Sequence, residues 1–211
     1  MAASFLDAEA RKGFEHAVQT IENASAAEVV IAIRRRSAHY LHAHIVVGVV
    51  AAFAGLAVTL FSEDEFSLVA ILIDPFVIGL LAGGLVELWP WMQRTLTPVA
   101  WRSRQVLRGA RATFVERGVH NTTGRTGILV YVSWLEREVR LVFDSGLERT
   151  LPAEARDRAS RELTAALPAG GAAVARALEE LAAPLGVAVP HRDDDVNELP
   201  DAIDSELAEA R

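Results

Sequence analysis

Four side chains of this sequence have the types that ligand chemistry uses: Glu28, Arg125, Thr126 and Asp144. Two carboxylates and a hydroxyl are hard oxygen donors of the kind that calcium or magnesium takes. An adjacent guanidinium would contact an anion such as a phosphate ester. Asp144 follows an expected strand, and strand ends are where open α/β sheets place ligands. The competing reading is that Asp144-Ser145-Gly146 is a turn in which the carboxylate bonds its own backbone, and this is the primary expectation.

The stretch "NTTGRTG", Asn121 to Gly127, raises the question of phosphate binding. A P-loop needs G-x-x-x-x-G-K-[ST] between a strand and the helix it opens, so that backbone amides and the helix N-terminus cradle the anion. Here the loop follows a helix and enters a strand, and it has no Lys. It reads instead as a connection in which Gly118, Gly124 and Gly127 supply permissive backbone angles. The chain has no cysteine, which excludes thiolate ligands, disulfides and a cysteine nucleophile. Gly-x-Ser-x-Gly is absent as well. His39, His42 and His44 lie together at the membrane edge; they are either metal ligands or an interfacial flank, and the flank is the expectation because acidic and Cys partners are lacking nearby. No cofactor is expected beyond a calcium or magnesium ion at the four-residue cluster.

The composition shows where the bulk of the apolar residues must go. Hydrophobic residues make up 51% of the 211, and the mean hydropathy is +0.23 although 23% are charged. The excess sits between residues 45 and 92. "IVVGVVAAFAGLAVTLF", Ile45 to Phe61, is uncharged, and "FSLVAILIDPFVIGLLAGGLVELWPWM", Phe66 to Met92, carries only Asp74 and Glu87. A span needs about 20 mostly apolar residues. Two such segments separated by "SEDE" predict a transmembrane helical hairpin. Arg34, Arg35 and Arg36 precede it, and Arg94, Arg102, Arg104, Arg108 and Arg111 follow it, whereas the connecting loop is acidic. The positive-inside rule then puts both termini in the cytoplasm. Asp74 is either an intramembrane functional acid, with His44 as a candidate partner, or the N-cap of a helix opening at Pro75. The cap is the expectation.

The elements around the hairpin must position the cluster. Asp7 to Ala24 has an apolar stripe at Phe14, Val18 and Ile21 and predicts a helix, and Glu28 to Arg35 predicts a strand. Thr97-Pro98 should open a helix ending near Gly118, with Leu107, Ala110 and Phe114 as its apolar face. Ile128 to Trp134 and Val139 to Phe143 should form an antiparallel hairpin. Pro152 to Leu167 and Ala172 to Leu185 read as helices, with Gly186 to Pro190 as a short edge strand. The expected organisation is residues 1–40 as the first part of an α/β domain, 41–93 as the hairpin with spans at about 43–62 and 67–91, and 94–190 as the rest of the domain. Residues 191–211 should be an acidic, disordered tail. That tail carries eight acids against two arginines, so the formal net charge of -7 leaves the body near -1. No nucleic-acid partner is expected from that balance. The N-terminal residues do not read as a signal peptide.

"AAEVVIAIRRRSAHY", then a two-span hairpin, then "FVERGVHNTTGRTGILVYVSWLEREVRLVFDSGL" resembles the membrane-hairpin branch of the TPM domain family. The resemblance covers roughly Phe5 to Leu167. It is carried most by Arg125-Thr126-Gly127, Ser133, Glu136, Asp144 and Gly146. It implies a Rossmann-like α/β/α sandwich with a mixed sheet, interrupted here by the inserted transmembrane hairpin. It also implies a role in assembly, quality control or partner binding, with a phosphatase-like hydrolase as the alternative. The Gly of a Thr-Ser-Gly-Glu run usual before the first strand is missing, since the stretch is "ASAAE". The resulting expectation is a two-span inner-membrane protein with its domain in the cytoplasm. Its partners would be membrane lipid and another protein or a second copy.

Overall fold

The computed structural model describes residues 5–191, 198–199 and 203–207. The fold is mixed α/β and divides into two compact units. One runs to Ser37 and resumes at Ser103, and the other is Ala38–Arg102.

In the first unit, α1 (Ala8–Ala24) starts where the Asp7 carboxylate accepts the Ala10 amide at 2.8 Å, an N-cap bond. It buries Ala10, Phe14, Ala17, Val18 and Ile21, which is the stripe visible in the sequence. The β-branched run after it is β1 (Glu28–Arg34), buried along nearly its whole length.

In the second unit, α2 (Leu41–Phe61) and α3 (Leu68–Leu85) form the hairpin, followed by a single 3-10 turn to Leu88 and by α4 (Pro90–Leu96). Both long helices are long and apolar enough to cross a membrane. They touch along small residues. A Cβ on Gly48 would stand 2.8 Å from the Gly79 carbonyl oxygen, and one on Gly83 2.9 Å from that of His44. Such small-residue seams let two helix backbones approach closely.

Asp74 does not cap a helix at Pro75. The N-cap is Ser67, whose hydroxyl accepts the Ala70 amide at 3.2 Å, and α3 runs through Pro75 unbroken. A proline inside a helix removes one backbone hydrogen bond, and here the helix continues past it. Thr97 also plays another part than expected. Its hydroxyl donates to the Gln93 carbonyl at 2.6 Å and it closes α4, a helix absent from the sequence reading.

The chain continues through α5 (Val99–Glu116), β2 (Gly127–Ser133), β3 (Glu138–Phe143), α6 (Ser145–Thr150), α7 (Ala153–Ala166), α8 (Gly171–Glu179), α9 (Ala182–Ala188) and β4 (Asp204–Ser205). The buried face of α5 is Val106, Ala110 and Thr113, one residue away from the expected Leu107 and Phe114 at its outer positions. The last expected helix is two, α8 and α9. Gly186 to Pro190 is not an edge strand, because α9 takes most of it, and Pro190 forms only an isolated bridge with Ser25.

The sheet order is β3-β2-β1-β4. β1 and β2 are parallel, with Glu28 opposite Gly127 and Arg34 opposite Ser133, and β3 is antiparallel to β2. Val29, Ile31, Ile33, Ile128, Val130 and Val132 pack into one core with Phe14, Ile21, Leu163 and Leu178. Val30, Ala32, Leu129 and Tyr131 face the other way, onto Val106, Ala110 and Val119. Helices on both faces account for the continuous apolar runs of β1 and β2. β3 alternates in burial, as an outer strand does.

The tail departs from the expectation of disorder at the residues described. Asp204 and Ser205 add a parallel strand to the free edge of β1, and Leu207 is buried in the larger core. Backbone pairing and one apolar anchor outweigh the solvation of an acidic segment here, helped by Arg34 and Arg117, which both pair with Asp204. Arg192 to Asn197, including Asp193 to Asp195, lie outside the described residues.

Candidate functional site

The loop from α5 to β2 is built by close approach and by one strained residue. Gly118 takes a left-handed φ of 66°, but so does Arg125 at 54°, which is uncommon for a residue with a side chain. Gly127 needs no unusual angle. A Cβ there would lie 2.0 Å from the Val119 carbonyl oxygen, so only glycine fits. Gly146 is held in the same way, 2.5 Å from the Arg125 carbonyl oxygen, whose backbone bond to the Gly146 amide is 3.0 Å long. The sequence reading assigned Gly127 to a permissive backbone angle, whereas there, as at Gly146, packing decides.

These contacts gather the four candidate residues at one end of the sheet. Glu28 opens β1, and its amide donates to the Thr126 carbonyl at 3.3 Å. Asp144 follows β3, and its amide donates to the Gly127 carbonyl at 2.9 Å. The Arg125 guanidinium, whose Nη1 donates to the His120 carbonyl at 2.7 Å, stands 4.0 Å from Asp144 Oδ2. That end is the amino end of the parallel pair β1 and β2, opposite to the carboxyl end where open α/β sheets place ligands.

Asp144 acts first as a helix cap. Its Oδ1 accepts the Ser145 amide at 2.6 Å and starts α6, so the expected turn is the first turn of a short helix. Its Oδ2 is buried and makes no hydrogen bond. A buried carboxylate oxygen held only by a cation at 4.0 Å has unused acceptor capacity. The Glu28 carboxylate accepts the Leu199 amide at 3.4 Å. Among the described residues no three His, Cys, Asp or Glu side chains gather to hold a metal ion. The pairs Arg125 with Asp144 and Glu28 with Thr126 are thus brought together, but no three-carboxylate cage is.

The loop does bind an anion, and it comes from the same chain. The Thr123 amide donates to the Glu198 carboxylate at 2.7 Å, and hydrogen bonding to the Thr123 side chain, then to this amide, pulls the Glu198 pKa below the usual carboxylate value.

A second polar cluster lies at the carboxyl end of β1 and β2 and was not singled out as a ligand set from the sequence. Glu136 is buried; its Oε2 accepts the Ser133 hydroxyl at 2.5 Å and its Oε1 the Ser37 amide at 3.1 Å. The Ser37 hydroxyl lies 2.6 Å from that of Ser133 and 3.2 Å from that of Tyr131. Burial pushes the Tyr131 phenol above its ordinary value, against the Ser37 hydrogen bond and the Arg34 charge. Ser133 is fully buried, so its hydroxyl serves as a latch between the β2–β3 turn and the chain leaving β1. The signal available in sequence was a Ser and a Glu three residues apart across a tight turn, with Arg137 at a left-handed φ of 53°.

In the hairpin unit His42 and His44 are structural. His42 Nε2 lies 3.0 Å from the Thr97 hydroxyl, and its ring packs on Trp101 at 4.5 Å. His44 sits 2.9 Å from the Gly83 carbonyl and 3.5 Å from Glu87, so its acidic neighbour is Glu87 and not Asp74. Asp74 is exposed on α3, flanked by the exposed Ile73 and Phe76.

No family model matches the chain. No curated protein matches it either. Among solved structures, the NMR structure of the BA42 protein from the psychrophilic bacterium Bizionia argentinensis is similar, with a TM-score of 0.57, 15% identity and 95% of each chain covered. At that identity the likeness is one of fold, and it supports a mixed α/β architecture.

Proposed function

We propose that the chain is a two-span integral membrane protein of the TPM-like kind. A Rossmann-like α/β/α sandwich, interrupted by the hairpin, faces the cytoplasm and acts in assembly, quality control or partner binding. The observation that carries this reading is the surface of the hairpin. Val50, Phe53, Phe61, Leu68, Leu72 and Leu80 are all more than half exposed, and Asp74 is exposed among such residues. An acid at the centre of a span costs about 2.5–3.5 kcal/mol on insertion scales, and such residues face protein rather than lipid. Asp74 therefore marks the side on which another protein, or a second copy, meets the hairpin.

The test uses the absence of cysteine. An Asp64→Cys chain should react with an impermeant maleimide from the outer side of intact cells, and an Arg104→Cys chain only after permeabilisation. The reverse pattern, or release of the chain by alkaline carbonate, would sink the topology. Asp74→Leu should insert normally yet shrink the particle extracted in mild detergent. An unchanged particle would remove Asp74 from partner binding.

The buried Oδ2 of Asp144 beside Arg125 favours a second reading, a membrane-tethered hydrolase of phosphate esters that takes calcium or magnesium. Calcium titration and phosphate-monoester turnover by the purified chain, compared with Asp144→Asn, decide it. Binding or turnover lost in the variant supports the reading, and neither signal in the parent chain ends it.

A further inference from the structure

The free edge of β1 is occupied by residues that arrive from the far end of the chain. β4 is only two residues long, Asp204 opposite Ala32 and Ser205 opposite Ile33. The Glu206 amide continues the pairing to the Ile33 carbonyl at 2.9 Å. Leu199 stands at Glu28, at the other end of β1, so the tail residues described follow β1 from its first residue to its last.

The recognition is ionic at one end and apolar beyond it. Arg34 donates to Asp204 Oδ2 at 2.5 Å and to the Asp204 carbonyl at 3.2 Å, and its Nε is 3.3 Å from Glu206. Arg117 also pairs with Asp204. The Arg35 amide donates to the second Glu206 oxygen at 3.2 Å. Burial alone would lower the Arg34 pKa, but the hydrogen bond and charge of Asp204, with Glu206, raise it. Leu207 then enters the core at 5% exposure. Backbone bonds on an exposed edge with side-chain pockets at intervals are how a sheet binds an extended peptide. Two basic residues facing two acids set the charge that such a peptide must carry.

We propose that the β1 edge is a binding site for an extended acidic segment of the form Asp-x-Glu-Leu. The site is filled in cis by this chain's own tail, and in trans by the same tail of a second copy. The second copy is the occupant because it carries the matching acids in the matching register. Exchange of a terminal strand between identical chains also needs no new contact. The tethered tail holds the site by its high effective concentration, although the ion pairs are only partly buried and are weakened by salt. When the tail leaves, Glu198 and Leu199 leave Thr123 and Glu28 as well, so occupancy of the edge also uncovers or covers the amino-end cluster. The inference does not depend on the hairpin crossing a membrane.

The experiment uses the full chain in detergent with a protease site placed at residues 193–197. After cleavage and a high-salt wash, a fluorescent peptide of residues 201–211 should bind saturably at low salt. Uncut chain should bind it at least tenfold more weakly. Arg34→Gln should weaken binding to cut chain tenfold or more. A peptide with Asp204→Lys and Glu206→Lys should fail on cut chain that keeps Arg34, which keeps the test valid if Arg34→Gln does not fold. Mixed oligomers should form between cut and uncut copies carrying different tags. No peptide binding to washed cut chain, or binding indifferent to both charge changes, overturns the site. Peptide binding without mixed oligomers overturns the second copy as occupant.

Discussion

The hairpin seam between α2 and α3 can be tested by a chemical bond. A Cβ built on Gly55 lies 3.8 Å from the Cβ of Ile78, the mean spacing across protein disulfides. The chain has no cysteine of its own, so a Gly55→Cys/Ile78→Cys pair can react only with itself or with another molecule. The built Cβ of Gly55 is also 2.8 Å from Ile78 Cδ1, a clash that Ile78→Cys removes. The bond would close a loop of about 22 residues, which the chain-entropy relation values at about 3.4 kcal/mol. This is an upper figure, because any helix that persists in the unfolded chain leaves less entropy to lose. Mild oxidation should give a fast-migrating, reducible band on a denaturing gel in high yield, and the oxidised chain should resist heat or denaturing detergent better than the reduced one. The comparison is Gly55→Cys/Leu80→Cys, since Leu80 is 78% exposed and points away from the seam. Equal crosslinking rates for the two pairs, or only intermolecular bands, would refute the packing of the hairpin described above.

Asp144→Ala should cost about 1 kcal/mol through loss of the α6 cap, while Asp144→Asn keeps most of it, as thermal melts of the two variants will show. Glu136→Ala leaves the Ser133 hydroxyl and the Ser37 amide without their acceptor, and denaturant melts should register a loss of about 1–3 kcal/mol. Tyr131 has a pKa raised in the folded state, so the unfolded chain releases this proton first as pH rises. Its contribution is therefore whole below the ordinary tyrosine value and is lost as pH climbs through the folded one. Melting temperature should fall more steeply above the ordinary tyrosine range in the parent chain than in Tyr131→Phe, and equal slopes would discount the burial effect.

Much of the α/β unit was legible because its determinants are local. The stripe of α1, the continuous apolar runs of β1 and β2 and the tight turn between β2 and β3 all report burial through periodicity. The misreadings share a cause. Asp74-Pro75 has the chemistry of a helix start, but Ser67 caps earlier, and a long apolar helix absorbs the proline. Thr97-Pro98 does mark an opening, since α5 begins at Val99, but Thr97 also closes α4 by bonding back to Gln93. In both, what the dipeptide did not show was the helix already running before it.

For the candidate cluster, the sequence could place Glu28, Arg125, Thr126 and Asp144 near strand ends. It could not say which end, because that depends on β1 and β2 being parallel. The second polar cluster was invisible for a related reason. Ser37 and Glu136 lie far apart in sequence and meet only when Arg34 aligns with Ser133. The β4 edge was hidden by composition, since an acidic tail reads as solvated until Arg34 and Arg117 are seen beside it.

The insertion of the hairpin between two neighbouring strands has a consequence in time. After β1 leaves the ribosome, on the order of 90 residues must be made before its partner β2 exists, about 5–20 s at ordinary rates of synthesis. During that interval "VVIAI", Val29 to Ile33, has neither of its sheet neighbours, and it is the kind of apolar segment that pairs with other chains. Its second neighbour, β4, is made later still, at Asp204–Ser205. The order of synthesis thus sets a period of exposure for this strand that the finished sheet conceals, and nascent chains released early should aggregate through it.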